Sequence, residues 1–276
     1  IVNGLVGSEM CIRDSDMGYH SLLPIDQLWL LKNANSRESV FSVQFSKEED
    51  QRNGHPAATS FHMSRGWSDM YPELQFFKDF PEGPRKVATF VTDIPNRGFA
   101  GGAIITKNPP TKNWEVSERF HPMYGKFTAS EDLTVVGRTM GYRSIEVYRY
   151  AEVLLIYAEA KAASGGFDAT ALSALNQVKR RAAGLDPDTP NAAVDATSAT
   201  VQDIIDEKGW ELAAEHKRWF DLVRTETLES AILKRDPTEQ VPLVRQPGKA
   251  QYISPIPAEA IATSKLVQNP QGFKIQ

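Results

Sequence analysis

One stretch near the middle of the chain, residues 149–164, constrains the fold more than any other. Apolar side chains recur in it at intervals of three and four residues, a pattern typical of an α-helix. Among the few charged side chains, Glu152 and Glu159 are two helical turns apart and therefore share one narrow face. A helix that is apolar on most of its sides must be covered by neighbours. We therefore expect the rest of the chain to pack around this helix.

A second helix is predicted directly after the first, across a turn at Gly165 and Gly166. Asp168 is the expected N-cap of this helix, and Gly184 is its expected C-terminal stop. Two helices joined by so short a turn form a hairpin, which is the unit of tetratricopeptide-type repeats. One unit cannot bury its own apolar face. The predicted fold is mainly α, with tetratricopeptide-like helical hairpins and a loop-rich region that carries short strands.

The third predicted helix begins at Thr200, where Asp203 three residues on makes a weakened capping box, with Asp in place of the usual Glu or Gln. Its apolar pattern predicts a single long helix that continues through Trp219 and Leu222. Gly209 lies in the middle of this helix, and a glycine there costs about 1 kcal/mol relative to alanine. Either the helix bends at this glycine or another group packs closely against its backbone.

The first half of the chain is less regular, and its elements are shorter. Phe76, Phe77 and Phe80 are predicted to anchor a core. The other predicted elements are a helix after Asp26, a strand at residues 39–45, an exposed loop at 46–66, a strand at 87–92 and an irregular region at 98–142.

Composition excludes several classes of function. Hydrophobic residues make up 41% and charged residues 24% of the 276 residues, which fits one ordinary globular domain or two small ones. A net charge of −4 does not supply the basic face that nucleic acids require. The single cysteine excludes an internal disulfide framework, and no stretch is long and apolar enough to span a membrane. A neutral or weakly polar ligand fits this composition better.

Several motifs follow one another along the chain. They are, in order, Arg149–Leu155, Ala158–Ala160, Leu175-Asn176, Arg181-Ala182, Trp210–Leu212, Arg218–Leu222, Ile253–Pro257 and Gln268–Pro270. These motifs resemble those of the SusD/RagB family, the surface glycan-binding lipoproteins of Bacteroidota. The resemblance extends weakly over residues 35–140 and strongly beyond them. In this family a glycine normally follows the final Asn-Pro, whereas here Gln271 precedes Gly272.

The resemblance implies a protein without enzymatic activity or cofactor. It would bind oligosaccharide or polysaccharide at the surface of the outer membrane and deliver it to a SusC-like TonB-dependent transporter. Family members are considerably longer, so residues 19–276 are expected to be the C-terminal part of such a domain. A lipid anchor on the N-terminal part of the longer protein would be the only attachment to the membrane. Residues 1–18 match no pattern and are expected to be non-native or unassigned.

In this family glycans bind a shallow face of the loop-rich part, where aromatic rings stack on sugar rings. Trp67 and Trp114 have polar neighbours in the sequence and are the leading candidates, followed by Tyr71 and Tyr124. Packing in the core is the alternative for each of these four residues. The phenylalanines of the same regions are predicted to be structural, namely Phe76, Phe77, Phe120 and Phe127.

Metal and catalytic sites are less well supported. The segment Glu211–His216 approaches a zinc-binding pattern, but Leu212 stands where that pattern needs a histidine, so no metal site is predicted. Glu211 with Glu215 could form an acid and base pair, as could Glu152 with Glu159.

Nearby arginines favour structural ion pairs for these four carboxylates instead. The available cations are Arg149, Arg181 and Arg218. Two alternatives to glycan binding stay open at this point. One is a glycoside hydrolase or another carbohydrate-active enzyme, and the other is a helical-repeat scaffold for protein partners only.

Overall fold

The computed structural model describes residues 18–46, 49, 70–95, 111–117, 120–126, 144–239, 248–249 and 252–268. Within these ranges the fold is mainly helical, with tetratricopeptide-like helices and a loop-rich region that carries short strands. The helices are α1 (Leu74–Asp79), α2 (Pro84–Thr89), α3 (Tyr150–Ala163), α4 (Ala169–Ala182), α5 (Val201–Glu211), α6 (Arg218–Arg224), α7 (Leu228–Leu233) and α8 (Ala258–Thr263). The described part contains no helix of the length and hydropathy that crossing a membrane requires.

The described strands form three antiparallel pairs, and each pair joins distant parts of the chain. The pairs are β1 (Ser39–Val43) with β6 (Ile145–Arg149), β2 (Phe90–Val91) with β5 (Met123–Tyr124), and β3 (Asp93–Pro95) with β4 (Thr111–Asn113). Short 3₁₀ helices span Leu31–Asn33, Trp114–Val116 and Pro237–Glu239. Strand β1 confirms the strand predicted from the alternation over residues 39–45.

Helix α3 is the centre of the helical core, as its sequence predicts. It packs against both α4 and α5. Ala151 and Ala158 are completely buried, and their small side chains allow the neighbouring helices to approach closely. The remaining buried members of this core include Leu154, Leu155, Leu175, Val178 and Ile204.

The predicted cap and stop of α4 and the predicted start of α5 are confirmed. The carboxylate of Asp168 accepts a hydrogen bond from the backbone N–H of Ala171 at 2.9 Å, which caps α4. Gly184 follows α4 with φ of +75°, a left-handed conformation that glycine adopts without strain. Thr200 and Asp203 form the capping box at the start of α5.

The predicted long third helix is wrong. Helix α5 ends at Glu211, and α6 begins only at Arg218. Between them Ala214 and His216 have positive φ values of 65° and 61°, which an α-helix cannot contain. Tertiary contacts therefore override the apolar periodicity in this segment.

Gly209 allows a close approach rather than a bend. A Cβ atom at this position would lie 3.0 Å from Nη1 of Arg218, whose guanidinium packs against the backbone of α5. The same nitrogen donates a hydrogen bond to the carbonyl oxygen of Ile205 at 3.1 Å. Of the two explanations for this glycine, close packing is therefore the right one.

Two elements of the first half differ from prediction. After Asp26 the chain forms turns and the 3₁₀ helix, not an α-helix, and it buries Trp29 with its neighbours. The strand predicted at residues 87–92 is shortened to β2, because Pro84 begins α2. Proline suits the first turn of a helix, since its fixed φ is already helical and its missing N–H would have no partner there.

Candidate functional site

Four cationic and four anionic side chains meet between α3, α4, α5 and the preceding segments. We call this group the charge cluster. None of its side chains is more than 5% exposed, and the charges are equal in number. Its members are Arg85, Lys126, Arg149 and Arg181 with Glu38, Glu207, Glu211 and Glu215.

Arg149 lies at the centre of the charge cluster, at the point where β6 becomes α3. Its Nη1 is 2.8 Å from Oε1 of Glu38, its Nε is 2.7 Å from Oε2 of Glu215, and its Nη2 is 2.6 Å from Oε1 of Glu211. Burial alone would lower the pKa of Arg149, but the negative charges of Glu215 and Glu211 raise it above its ordinary value. Arg149 is therefore a fixed cation that joins three segments.

Lys126 holds the loop between α5 and α6 in place. Its ammonium donates hydrogen bonds to the backbone oxygens of Glu211 at 2.7 Å and Ala213 at 3.0 Å. It also lies 2.6 Å from Oε1 of Glu215. These contacts, with those of Arg149, stabilise the left-handed residues on either side of Glu215.

The carboxylates that could have formed acid and base pairs are ion-paired in the structure, as predicted. Burial alone would raise the pKa of Glu211 and Glu215, but the surrounding cations, Arg181 and Arg149 first among them for Glu211, lower both values. A carboxyl group with a lowered pKa stays ionised at neutral pH and is a poor general acid. Glu152 pairs with Lys217, and Glu159 with Lys208 and Arg224.

A second group of side chains, which we call the aromatic cluster, joins α1, β2, β5 and the Trp114–Val116 turn. Phe77 and Phe80 are buried, and each meets the ring of Phe90 edge to face, with ring centroids 5.1 and 5.0 Å apart. Phe76 is partly buried against the same rings. The predicted role of these residues as core anchors is confirmed.

Two predicted glycan-binding residues lie in the aromatic cluster. The ring of Trp114 is partly buried, with its centroid 5.7 Å from that of Phe77 in an edge-to-face contact. Tyr124 stacks on Phe90, with centroids 5.6 Å apart, so one of its faces is covered. Burial raises the pKa of Tyr124 to about 12, and the charge of Glu73 acts in the same direction. The structure brings both rings to one core.

Of the other two candidates, only Tyr71 belongs to the described residues, and it lies apart from these contacts. The ring of Tyr71 is 5.3 Å from that of His121, and its buried hydroxyl has no hydrogen-bond partner among the described residues. Trp67 lies outside the described residues. The assignment of sugar contacts to Trp67, Trp114, Tyr71 and Tyr124 stays a prediction.

His121 and Glu239 tie the segment after the Trp114–Val116 turn to α1. Nε2 of His121 is hydrogen-bonded to the carboxylate of Glu239, which also accepts the backbone N–H of Leu74 at 3.0 Å. Burial would raise the pKa of Glu239, but these two hydrogen bonds lower it. The backbone at residue 121 is therefore attached to two other segments.

The structure corrects the prediction for Phe120. A structural role in the core is expected from the sequence, yet 63% of the surface of this residue is exposed. Its neighbours in the sequence, Arg119 and His121, are polar. Polar neighbours in the sequence are the criterion that favours Trp114, and the same criterion would have identified Phe120.

A large groove lies elsewhere, between the segment after Ser21 and α2, and has a volume of about 1040 Å³. Its described lining is mostly apolar and includes one aromatic residue, Trp29. Trp29 is only 4% exposed, and its ring lies beneath Lys126 and Arg149, with centroid distances of 5.2 and 5.7 Å. Among the described residues, the groove therefore offers no free ring face, and its lining includes neither Tyr71, Trp114 nor Tyr124. Within the described ranges, no three His, Cys, Asp or Glu side chains are placed to hold a metal ion.

The chain matches a known protein family and several solved structures. A family model described as the SusD family matches residues 100–272. This range includes the Trp114–Tyr124 segment and α3 to α8. No curated protein sequence matches the chain.

Solved structures match nearly the whole chain. Surface glycan-binding protein A from Bacteroides uniformis has 23% identity and a TM-score of 0.64, with 97% of this chain and 56% of that one covered. A SusD superfamily protein from Parabacteroides distasonis has 22% identity and a TM-score of 0.69, with 97% and 57% covered. Surface glycan-binding protein A from Bacteroides thetaiotaomicron, in complex with laminarihexaose, has 20% identity and a TM-score of 0.63, with 91% and 56% covered. These likenesses establish the fold, and the chain spans little more than half the length of each structure.

Proposed function

Because the chain belongs to the SusD family, we propose that it binds oligosaccharides or polysaccharides at the cell surface without cleaving them. The family match over residues 100–272 carries this proposal. Structures with the same fold include proteins named for surface glycan binding, one of them in complex with laminarihexaose. The net charge of −4 fits a neutral ligand better than a polyanion.

The proposed binding surface is the loop-rich end around the aromatic cluster, with contacts from Trp67, Trp114, Tyr71 and Tyr124. An aromatic ring offers a flat apolar face to the C–H groups of a sugar, and it loses little conformational freedom on binding. The scaffold beneath Trp114 and Tyr124 is rigid, because Phe77 and Phe90 are packed edge to face. A rigid platform reduces the entropic cost of capture.

A role in binding rather than catalysis is supported by the state of the carboxylates. In the charge cluster, Glu211 and Glu215 are buried and paired with arginines. Glycoside hydrolysis needs two carboxyl groups that face the sugar from opposite sides. The carboxylate pairs that the sequence offers for this role lie inside the helical core instead.

By family membership we infer that the bound glycan is passed to a SusC-like TonB-dependent transporter at the outer membrane. The protein would then be surface-exposed. A lipid anchor would lie in the part of the relatives' chains that has no counterpart here, and it would be the only attachment to the membrane. Co-purification of the protein with such a transporter tests this inference, and failure to associate at micromolar concentrations would contradict it.

Native gels that contain laminarin, starch, xylan or mannan test the proposed function. The protein should be retarded by at least one polysaccharide, and it should release no reducing ends from any of them. Trp114→Ala should reduce the retardation. Trp219→Ala makes the same chemical change at an exposed position of α6 and should not. Unaltered migration in an extended glycan panel would refute glycan binding, and turnover would favour a glycoside hydrolase.

A further inference from the structure

Phe120 combines an exposed aromatic ring with an unusual backbone conformation. Its exposed fraction is 63%, and its φ is +54°. Bulky L-residues rarely adopt positive φ, because the Cβ atom crowds the backbone. Such strained residues persist where the surrounding structure holds them, and they concentrate at functional sites.

Contacts on both sides of Phe120 fix its backbone. Its N–H donates to the carbonyl oxygen of Ser117 at 3.3 Å, and Oγ of Ser117 donates to the carbonyl oxygen of Trp114 at 2.8 Å. On the other side, the ring of His121 is held by Glu239 and lies against Tyr71. The aromatic side chain is therefore displayed on an anchored segment and not on a free loop.

The candidate rings nearby are less available. Trp114 meets the ring of Phe77, and Tyr124 has one face against Phe90. Among the described residues between 111 and 126, Phe120 has the most exposed aromatic ring. Only a ring with a free face can stack on a sugar.

We propose that Phe120 is the principal stacking residue for the bound glycan, an inference that rests on the proposed function. Phenylalanine has no polar group, so its ring selects a sugar by the apolar C–H face alone. Pyranoses of gluco, galacto and manno configuration all present such a face, because a single axial hydroxyl obstructs only the side of the ring from which it projects. The ligand class is therefore a neutral glycan whose pyranose residues have an accessible C–H face, and Trp114 and Tyr71 make secondary contacts at its edge.

Three variants test the role of Phe120, with the glycan that retards the wild-type protein most as the probe. Isothermal titration calorimetry should show that Phe120→Ala weakens binding about 10-fold. Phe120→Trp should stay within about 3-fold of wild type, because it restores a ring face. Val116→Ala is the matched control, since Val116 is 67% exposed in the same segment and should have no effect.

The possible outcomes distinguish the proposed role of Phe120 from the proposal that the protein binds glycans. If the wild-type protein binds and Phe120→Ala binds equally well, the role of Phe120 is overturned while glycan binding stands. The role of Phe120 in stacking is also overturned if Phe120→Ala impairs only association with a protein partner. If the wild-type protein binds no glycan, both proposals fail. A preference for charged polysaccharides over neutral ones would overturn the ligand class.

Discussion

The charge cluster and the aromatic cluster both join distant parts of the chain, but they are closed to solvent to different degrees. In the first, Arg149 and Glu38 are 111 residues apart in the sequence and fully buried together. In the second, Phe77 and Phe90 form a buried base and Trp114 is partly exposed, and Phe120, six residues further along the chain, is largely exposed. The closed region can stabilise the fold but cannot contact a ligand. The partly exposed region around the aromatic cluster can stabilise the fold and also contact a ligand.

The comparison predicts that the two regions respond differently to substitution. Changes in the charge cluster should lower the free energy of unfolding and leave the affinity of the folded protein intact. Changes at the exposed rings should lower the affinity for glycan and have a smaller effect on the free energy of unfolding.

The largest effect is expected for Arg149→Met. This change leaves the carboxylates of Glu38, Glu211 and Glu215 buried near the vacated position, so the free energy of unfolding should fall by about 3–5 kcal/mol. Urea denaturation measures it. Lys249→Met is the control, because the ion pair of Lys249 with Glu226 is exposed on both sides, and it should leave stability nearly unchanged. Equal effects of the two changes would contradict a structural role for the cluster.

Acid should destabilise the same region. The pKa values of Glu211 and Glu215 in the folded protein lie below the ordinary value of 4.5. Their contribution is therefore complete above about pH 4.5 and is lost as the pH falls towards the folded-state values. The free energy of unfolding should drop by on the order of 2 kcal/mol between pH 7 and pH 3.5. Glu215→Gln should show a smaller drop over that interval, and a pH-independent wild type would refute the ion-pair assignment.

Trp114→Ala tests the boundary between scaffold and binding surface, because part of Trp114 is packed against other residues and part is exposed to solvent. We expect about a 3-fold loss of glycan affinity, smaller than the loss for Phe120→Ala, because Trp114 makes a secondary contact. The accompanying loss of unfolding free energy should be only about 1–2 kcal/mol, since the ring is partly exposed. Calorimetric titration and urea denaturation of the same preparation provide both values. A stability loss as large as that of Arg149→Met, with unchanged affinity, would place Trp114 with the scaffold.

The smallest effect is expected for Gly209→Ala. The helix gains about 1 kcal/mol from the better helix former, but the new Cβ displaces the guanidinium of Arg218, so the net change should stay below about 1 kcal/mol. In an Arg218→Ala background the same substitution should give the full gain of about 1 kcal/mol. Identical changes in both backgrounds would show that Arg218 does not occupy that position.

Local sequence signals were enough to predict the α3–α4 hairpin. Asp168 and Gly184 act through their own backbone, so their roles as cap and stop can be read without knowledge of the fold. Periodicity failed after Glu211, because the left-handed conformations of Ala214 and His216 depend on Lys126, which lies far away in the sequence. A long-range contact of this kind leaves no local pattern.

The candidate site was less accessible to sequence reasoning. The sequence identified the aromatic residues but could not tell which ring faces are covered, since the exposure of a ring depends on its tertiary neighbours. Trp114 and Tyr124 are packed against Phe77 and Phe90, whereas Phe120 is held outward. Identification of the charge cluster was similarly incomplete, because Lys126 and Glu207 carry no distinguishing pattern.

Hydrogen exchange with and without bound glycan is the most direct test of the division between scaffold and binding surface. The proposal predicts that saturating glycan slows exchange in peptides that cover residues 111–126 and leaves those of α3 and α5 unchanged. Slower exchange confined to α3 and α5, with no change at residues 111–126, would contradict it.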